Sequence, residues 1–516
     1  MWFVKFFLGR IVVRLKRNAE KCRVLVWTVS LLACPSPDLL GLSRDRAVIG
    51  VDETFSGLLS TESPTPLIHP LDDLVQCSIY TADVNGQLDA HLTKEKPHWI
   101  NARQFEISLR DNLTFSDGSP LTSQNIADTY ENVRHKLRNL AKIEVIDART
   151  VRFHLTEADA GFPSKLIFGI HRLQEHEFQG KNPNLQIGCG PYRVMSSDAD
   201  RIILERNQFA PLNNQPFLHT IEIRRIKGES NRIDLLKRGA LDLLPTDISL
   251  DSIRAAEQRY PQLRVLERTA LETSVLGFNF RDKILAHTLV RTAIELAIDR
   301  DEIISMIFNG HATRASTILL PNMRFFPKIP ISRTSNRQRA KTLLDQAGFP
   351  TKGEARFSLS IKTTSELLRV AEAKAIASQL KQIGINVQVE ALEPNQFIAE
   401  AKAGKVQMWI KTWKNFTDPD VYRLAFGSDQ SSFEGENWGS YINLKLDKLL
   451  KKGSQITEFN QRKKVYEEVQ TILDEDVAAV FLWHPHRVAL AQKSLKNFDI
   501  FADGRLTGLI QAFLSY

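Results

Sequence analysis

Residues 356–392 read RFSLSIKTTSELLRVAEAKAIASQLKQIGINVQVEAL, and this stretch decides the fold class. Phe357, Leu359 and Ile361 alternate with polar residues, which is the period of a half-buried strand. Ala373, Ile376, Ala377, Leu380 and Ile383 recur at helical spacing. Gly384 then stops the helix, as glycines near helix C-termini do. Ile385, Val387, Val389 and Ala391 alternate again. Strand, helix and strand at this length form a βαβ unit, whose strands are parallel and whose ligand sites lie near the strands' carboxyl ends. The pattern continues outward. A helix is expected at 395–403, a stop at Gly404 and a strand over Val406–Trp413. A single long helix, Leu289–Phe308, is expected ahead of the unit. This half of the chain is α/β.

Towards the N-terminus the pattern changes. Ala47–Val51 reads as a first strand. Gln104–Leu109 and Thr150–Leu155 alternate strictly, and between them Thr122 or Ser123 caps a helix running through Ile126, Tyr130 and Val133. Residues 82–165 therefore form a small α+β unit. With 516 residues the chain is too long for one core, and two or three domains are expected. The net charge of +8 is concentrated at the N-terminus: residues 1–33 hold seven Lys/Arg and one acid, and the rest holds 61 basic and 59 acidic residues. So balanced a body offers no electrostatic footprint for nucleic acid. Of the four cysteines only Cys77 and Cys189 lie beyond the leader region. That excludes a disulfide scaffold and a Cys-based zinc site. The two either pair or sit as separate buried thiols.

Val24–Cys34 is a short apolar run behind Lys5, Arg10, Arg14, Lys16, Arg17, Lys21 and Arg23. About ten apolar residues are half of what a spanning helix needs, and the flanks are those of a secretory signal. Its end, Leu31-Leu32-Ala33-Cys34, resembles the lipobox of bacterial lipoproteins. That resemblance implies lipidation of Cys34 and a location in the periplasm or at the cell surface, tethered by acyl chains. Residues 1–34 are read as signal peptide and 35–46 as tether.

Six phrases in the body, in order, carry a wider resemblance. They are Phe115-Ser-Asp117-Gly118-Ser-Pro120-Leu121-Thr122; Gly188-Cys189-Gly190-Pro191-Tyr192 followed by Leu204-Glu205-Arg206-Asn207; Gly277-Phe278-Asn279 with Ala297-Ile298-Asp299-Arg300; Ile383-Gly384-Ile385; Trp413 with Asp418-Pro419; and Asn443–Asp447. Together they resemble the peptide/nickel-binding family of extracytoplasmic solute-binding proteins of ABC importers. The resemblance implies a two-lobed periplasmic-binding-protein fold with a hinge and an interlobe cleft. Lobe I takes 47–81, 166–270 and 481–516, with 82–165 as an extra subdomain, and lobe II takes 271–480. It implies a monomer without cofactor or catalysis that captures a peptide or peptide-like solute and presents it to an inner-membrane ABC permease.

By the same resemblance the ligand lies beside Lys411–Phe416. Trp409 and Trp413 share one parity. Trp413, at the strand end, is placed in the cleft and Trp409 in the core. Peptide binders of the family often carry an aspartate three residues after this tryptophan, where it meets the peptide's ammonium. Phe416 stands there instead. An unpaired buried ammonium is costly, so Asp418 or Glu53 takes over the charge, or the ligand lacks a free amino terminus. The remaining ligand-facing positions the resemblance implies are Thr54, Phe55, Tyr80, Phe278, Asn415, Asn437, Trp438 and Trp483. His484 and His486 alone do not make a metal site. The alternative functions are a ligand-sensing receptor and a transcription regulator built on the same domain. The second lacks the chain length for a helix-turn-helix module ahead of Ala47. No nucleophile elbow, phosphate loop or His-Glu-x-x-His motif points to an enzyme.

Overall fold

The computed structural model describes residues 45–52, 71–170, 187–210, 215–246, 248–327, 333–351, 353 and 355–515. The leader, Cys34 and tether residues 35–44 lie outside the described residues, as do Glu53, Thr54 and Phe55, and the last tether residue expected, Arg46, belongs to the first strand.

The chain opens with β1 (Arg46–Val51) and then builds the small unit. Its sheet comprises β2 (His98–Asn101), β3 (Gln104–Ser108), β4 (Leu140–Val145) and β5 (Thr150–Leu155), in the order β2-β3-β5-β4. Helix α1 (Ser123–Asn132) covers one face and starts with a capping box between Thr122 and Asn125. Phe105 and Phe153 stack at its core, with ring centroids 5.1 Å apart. A disulfide joins Cys77 to Cys189, whose Cα atoms are 5.3 Å apart, and closes the unit's two ends on each other.

After this unit come antiparallel β6 (Tyr192–Ser197), β7 (Arg201–Arg206) and β8 (Thr220–Arg225). The short β9 (Leu243–Leu244) and β10 (Leu263–Thr269) follow, and β11 (Glu272–Phe278) enters the second half. The expected long helix is two. α2 (Thr288–Ala297) ends where Ile298 turns extended (ψ 108°), and α3 (Arg300–Phe308) restarts because Asp299 accepts the Glu302 amide at 3.0 Å. β12 (Ala312–Arg314) leads to the βαβ unit: β13 (Phe357–Thr364), α4 (Leu367–Lys381) and β14 (Ile385–Leu392). β13 and β14 pair in parallel from Phe357↔Ile385 to Thr364↔Leu392. Gly384 sits at φ +89°, a conformation that favours glycine, and so ends the helix abruptly. α5 (Pro394–Lys402), β15 (Met408–Lys414), α6 (Leu444–Gln455), α7 (Phe459–Glu475) and β16 (Ala479–Gln492) complete the body.

Twelve strands outside the small unit form one sheet whose main path runs β14-β13-β15-β11-β16-β9-β1-β8-β7-β6, and two short strand pairs, Tyr80–Ala82 with Leu88–Ala90 and Leu495–Lys496 with Phe513–Leu514, stand apart from it. β16 unites its halves. It pairs with β11 through Ala479–Trp483, with β12 around Pro485, and with β10 through His486–Gln492. Pro485, which has no amide hydrogen, stands where pairing passes from one partner to the next. The chain's other crossing is the link between β10 and β11, Ala270-Leu271, and Ala270 donates to the Pro485 carbonyl at 2.8 Å. Each half has its own apolar core. One gathers Ala47, Ile49, Ile221 and Ile223 with the tail residues Leu506, Leu509 and Ile510; the other gathers Ile294, Leu359, Ile361, Ala373, Ile376 and Leu380. Arg505, buried with Asp73 and 2.7 Å from Asp503, locks the tail to the first half.

Candidate functional site

β13 and β15 run parallel and deliver Thr364 and Lys414 to one end of the second half. Antiparallel β11 begins at that same end, with Glu272 opposite Lys414. Both crossings leave from it. This is the carboxyl edge where α/β sheets hold ligands.

The two faces of β15 differ. Trp409, Lys411 and Trp413 share one face with Thr273, Val275 and Gly277, and Met408, Ile410 and Thr412 share the other with Ser274, Leu276 and Phe278. On the first face Trp409 is buried against Phe397 and Trp438. Its ring lies over Gly277, where a Cβ would come within 2.3 Å of it. Next along, the Lys411 ammonium lies 3.9 Å from the ring centre of Trp413 and 4.0 Å from that of Trp438. It is ion-paired with Glu436. This is a cation held between two indole faces. Burial pulls the Lys411 pKa below the ordinary lysine range, and Glu436 opposes that shift. The Trp438 side chain is buried, and its indole N–H has no acceptor among the described residues. Trp413 and Phe416 are half-buried and pack on the cluster that holds Leu271, Val275 and Tyr422. Asn415 takes a left-handed φ of 54°, which asparagine tolerates, and donates its amide to the Leu271 carbonyl at 2.9 Å.

On the second face the Ser274 and Thr412 hydroxyls are 3.1 Å apart. Arg369, at the start of α4, donates to Ser274 at 3.1 Å and to both oxygens of Glu372 at 2.9 and 2.7 Å. Glu372 is fully buried and also accepts the Trp483 indole N–H at 3.2 Å. Burial raises the Glu372 pKa, and Arg369 works against it. Leu367 and Leu368, in the first turn of α4, are exposed.

Five sequence expectations need correction. Phe278 is 1% exposed and Trp483 is 0% exposed, both inside the second half's core. Asn437, 3% exposed, spends its amide on the carbonyls of Gly427 and Tyr441 and its oxygen on the Tyr441 amide. Tyr80 is buried in the core of the small unit. Asp418 is not a free acid: Arg462 donates to its two oxygens at 2.6 and 2.7 Å. In this conformation the five have no free surface or no spare charge and serve as framework; Trp438, 8% exposed, is buried as well but abuts the Lys411 ammonium. Trp413, Asn415 and Phe416 lie at or beside the carboxyl edge, and Trp438, from a loop, packs on Trp409 and Lys411 further back along β15. Glu53, Thr54 and Phe55 are outside the described residues. Sequence reading missed Lys411, Glu436, Arg369 and Glu372. The available signal for Lys411 was its parity, which is that of Trp409 and Trp413.

The two histidines of β16 are bound into the crossing. His484 Nδ1 lies 3.1 Å from the Glu272 carbonyl, which can only accept, so Nδ1 carries the proton. Burial lowers its pKa to about 4. His486 pairs with Glu267, and its Nε2 lies 2.7 Å from the Thr313 hydroxyl. Among the described residues no group of three or more His, Cys, Asp or Glu is placed to hold a metal ion.

Comparison with known proteins agrees with this architecture. The chain is 24% identical over 486 residues to the oligopeptide-binding protein AppA of Bacillus subtilis, covering 87% of each chain. It is 22% identical over 436 residues to the nickel-binding protein NikA of Staphylococcus aureus, covering 83% of this chain and 86% of that one. Among solved structures it matches the ABC transporter-associated periplasmic binding protein DppA of Helicobacter pylori, in complex with peptide STSA. The TM-score is 0.69 at 21% identity, over 91% of this chain and 98% of that one. Residues 91–434 match the family model described as bacterial extracellular solute-binding proteins, family 5 Middle. With two thirds of its length under that model, the chain belongs to the bacterial extracellular solute-binding proteins of family 5.

Proposed function

We propose that this protein captures a peptide or peptide-like solute outside the cytoplasm and hands it to an ABC permease, without catalysing a reaction. The observation that carries the reading is the position of Trp413. It ends a strand at the carboxyl edge of the second half, beside both crossings between the halves. A solute held there touches both halves, and the closed state gains contacts that the open state lacks. The lobes of this proposal are 47–81, 166–270 and 481–516 against 271–480, with 82–165 attached to the first. The hinge is Ala270-Leu271 together with Trp483–His486. Trp413, Asn415, Phe416 and Trp438 line the solute's path, and Arg369 supplies a cation for its carboxylate end. The names of relatives such as the oligopeptide-binding AppA support the solute class. The mature protein is a monomer that starts at Cys34 and is held to a membrane by lipid there.

Small-angle scattering tests the capture. A saturating peptide library should lower the radius of gyration, and an unchanged radius with peptide bound contradicts closure. Intact mass and detergent partitioning of wild type and Cys34→Ser test the anchor. A wild-type chain that still begins at Met1 rules it out.

A further inference from the structure

We propose that Lys411 is the specificity-determining residue of this cleft: its ammonium fills the slot between Trp413 and Trp438, engages Glu436, and so turns away a solute's cationic amino end in favour of an uncharged or anionic one. This rests on the reading of the β15 edge as the solute's wall.

Charge decides the matter. Four acids among the described residues around β15 are matched by cations of the protein itself. Glu272 accepts from Arg487 at 2.9 Å and lies 3.8 Å from Lys414. Glu372 is bound by Arg369, and Glu366 lies 4.0 Å from the same guanidinium. Asp418 is bound by Arg462 and Glu436 by Lys411. At residue 416 the side chain is a phenylalanine. An arriving ammonium would lose its water and meet Lys411, Lys414 and Arg369, and these four acids, the described ones around β15, are already paired. A donor left over beside Lys411 is the Trp438 indole N–H, buried and without an acceptor among the described residues. A carbonyl or carboxylate oxygen satisfies such a donor, and an ammonium cannot.

Lys411 differs from the other cations in what its removal releases. Glu436 is 36% exposed and would be left without a partner beside two indole rings, whose faces also attract cations. Removing the lysine charge therefore converts the slot from one that refuses an amine to one that binds it.

Calorimetry with matched peptide libraries, one with free amino termini and one N-acetylated, reads this directly. Wild type should bind the acetylated library about tenfold or more tighter, the value of one charge-assisted contact. Lys411→Met, which removes the charge at similar side-chain volume and frees Glu436, should lose or reverse that ratio. Lys411→Arg should keep it, which separates charge from packing. In Lys411→Met/Glu436→Gln the gain for free amines should disappear. A Lys411→Met protein that keeps the wild-type ratio overturns the assignment, and so does a wild type that prefers free amines. Binding of neither library by any of these proteins would instead refute the peptide-like solute class beneath it.

Discussion

Lys411 and Asp418 stand seven residues apart at the end of one strand, and their charges are handled in opposite ways. Asp418 is held in a two-point grip by Arg462, with the side chains 14% and 6% exposed, and lies against Gly161 of the small unit. Burial pushes the Asp418 carboxyl up, yet Arg462 holds it below the usual range. Lys411 is held by two ring faces and by a glutamate that keeps a third of its surface. A fork-to-carboxylate pair is rigid and has no spare valence, and so belongs to the frame. A flexible ammonium on aromatic faces has an exchangeable partner, and so belongs to the chemistry of the site. Resemblance alone had made Asp418 the candidate for solute contact; its geometry makes it a strut.

Three measurements can break or sharpen that contrast. The largest effect is expected for Arg462→Ala, which strands a buried carboxylate and should cost about 3–5 kcal/mol in chemical denaturation. A loss below about 1 kcal/mol would put Asp418 back among the exchangeable charges.

The second concerns a group kept neutral by the frame. His484 has a folded pKa of about 4, against about 6.5 when unfolded. Between these values the unfolded chain binds more protons, so this contribution is complete above about pH 6.5 and falls as pH drops towards 4. The full span amounts to about 3 kcal/mol. Asp420 acts in the opposite sense. Burial, with Asp159 and Asp418 beside it, raises its pKa to about 6, so its contribution falls as pH rises from 3.8 to 6. Wild type should therefore be compared with His484→Gln, in which Asp420 cancels. Parallel pH profiles for the two proteins would show that His484 is charged in the fold. The smallest effect on stability is expected for Lys411→Met, within about 1 kcal/mol, because Glu436 regains water. A loss as large as that of Arg462→Ala would erase the distinction drawn here.

The sequence makes the second half legible because its elements obey two clean periods. Leu359, Ile361, Ile376 and Leu380 face one core, and Gly384 marks the turn between helix and strand. The break between α2 and α3 escaped notice because apolar spacing continues through it; only the Asp299 cap, a side-chain hydrogen bond, interrupts the helix. Parity put Trp409 and Trp413 on one face, and position along the strand set Trp409 inside and Trp413 at the edge. The lysine between them received no role of its own because its partners come from elsewhere: Trp438 and Glu436 sit in a loop some 25 residues further on. Glu372 was invisible for the same reason, since the indole that helps to bury it is 111 residues away. The Cys77–Cys189 pair stayed open in sequence because nothing local selects between a bridge and two thiols across a separation of 112 residues.

Native mass spectrometry of the protein purified from its own host tests the central claim most directly, because the captured solute is weighed and fragmented together with the chain that holds it. The account predicts a non-covalent, peptide-like solute, released on unfolding, whose amino end is blocked or absent. A bound peptide with a free amino terminus, or a protein that stays empty when offered extracts of that host, would contradict it.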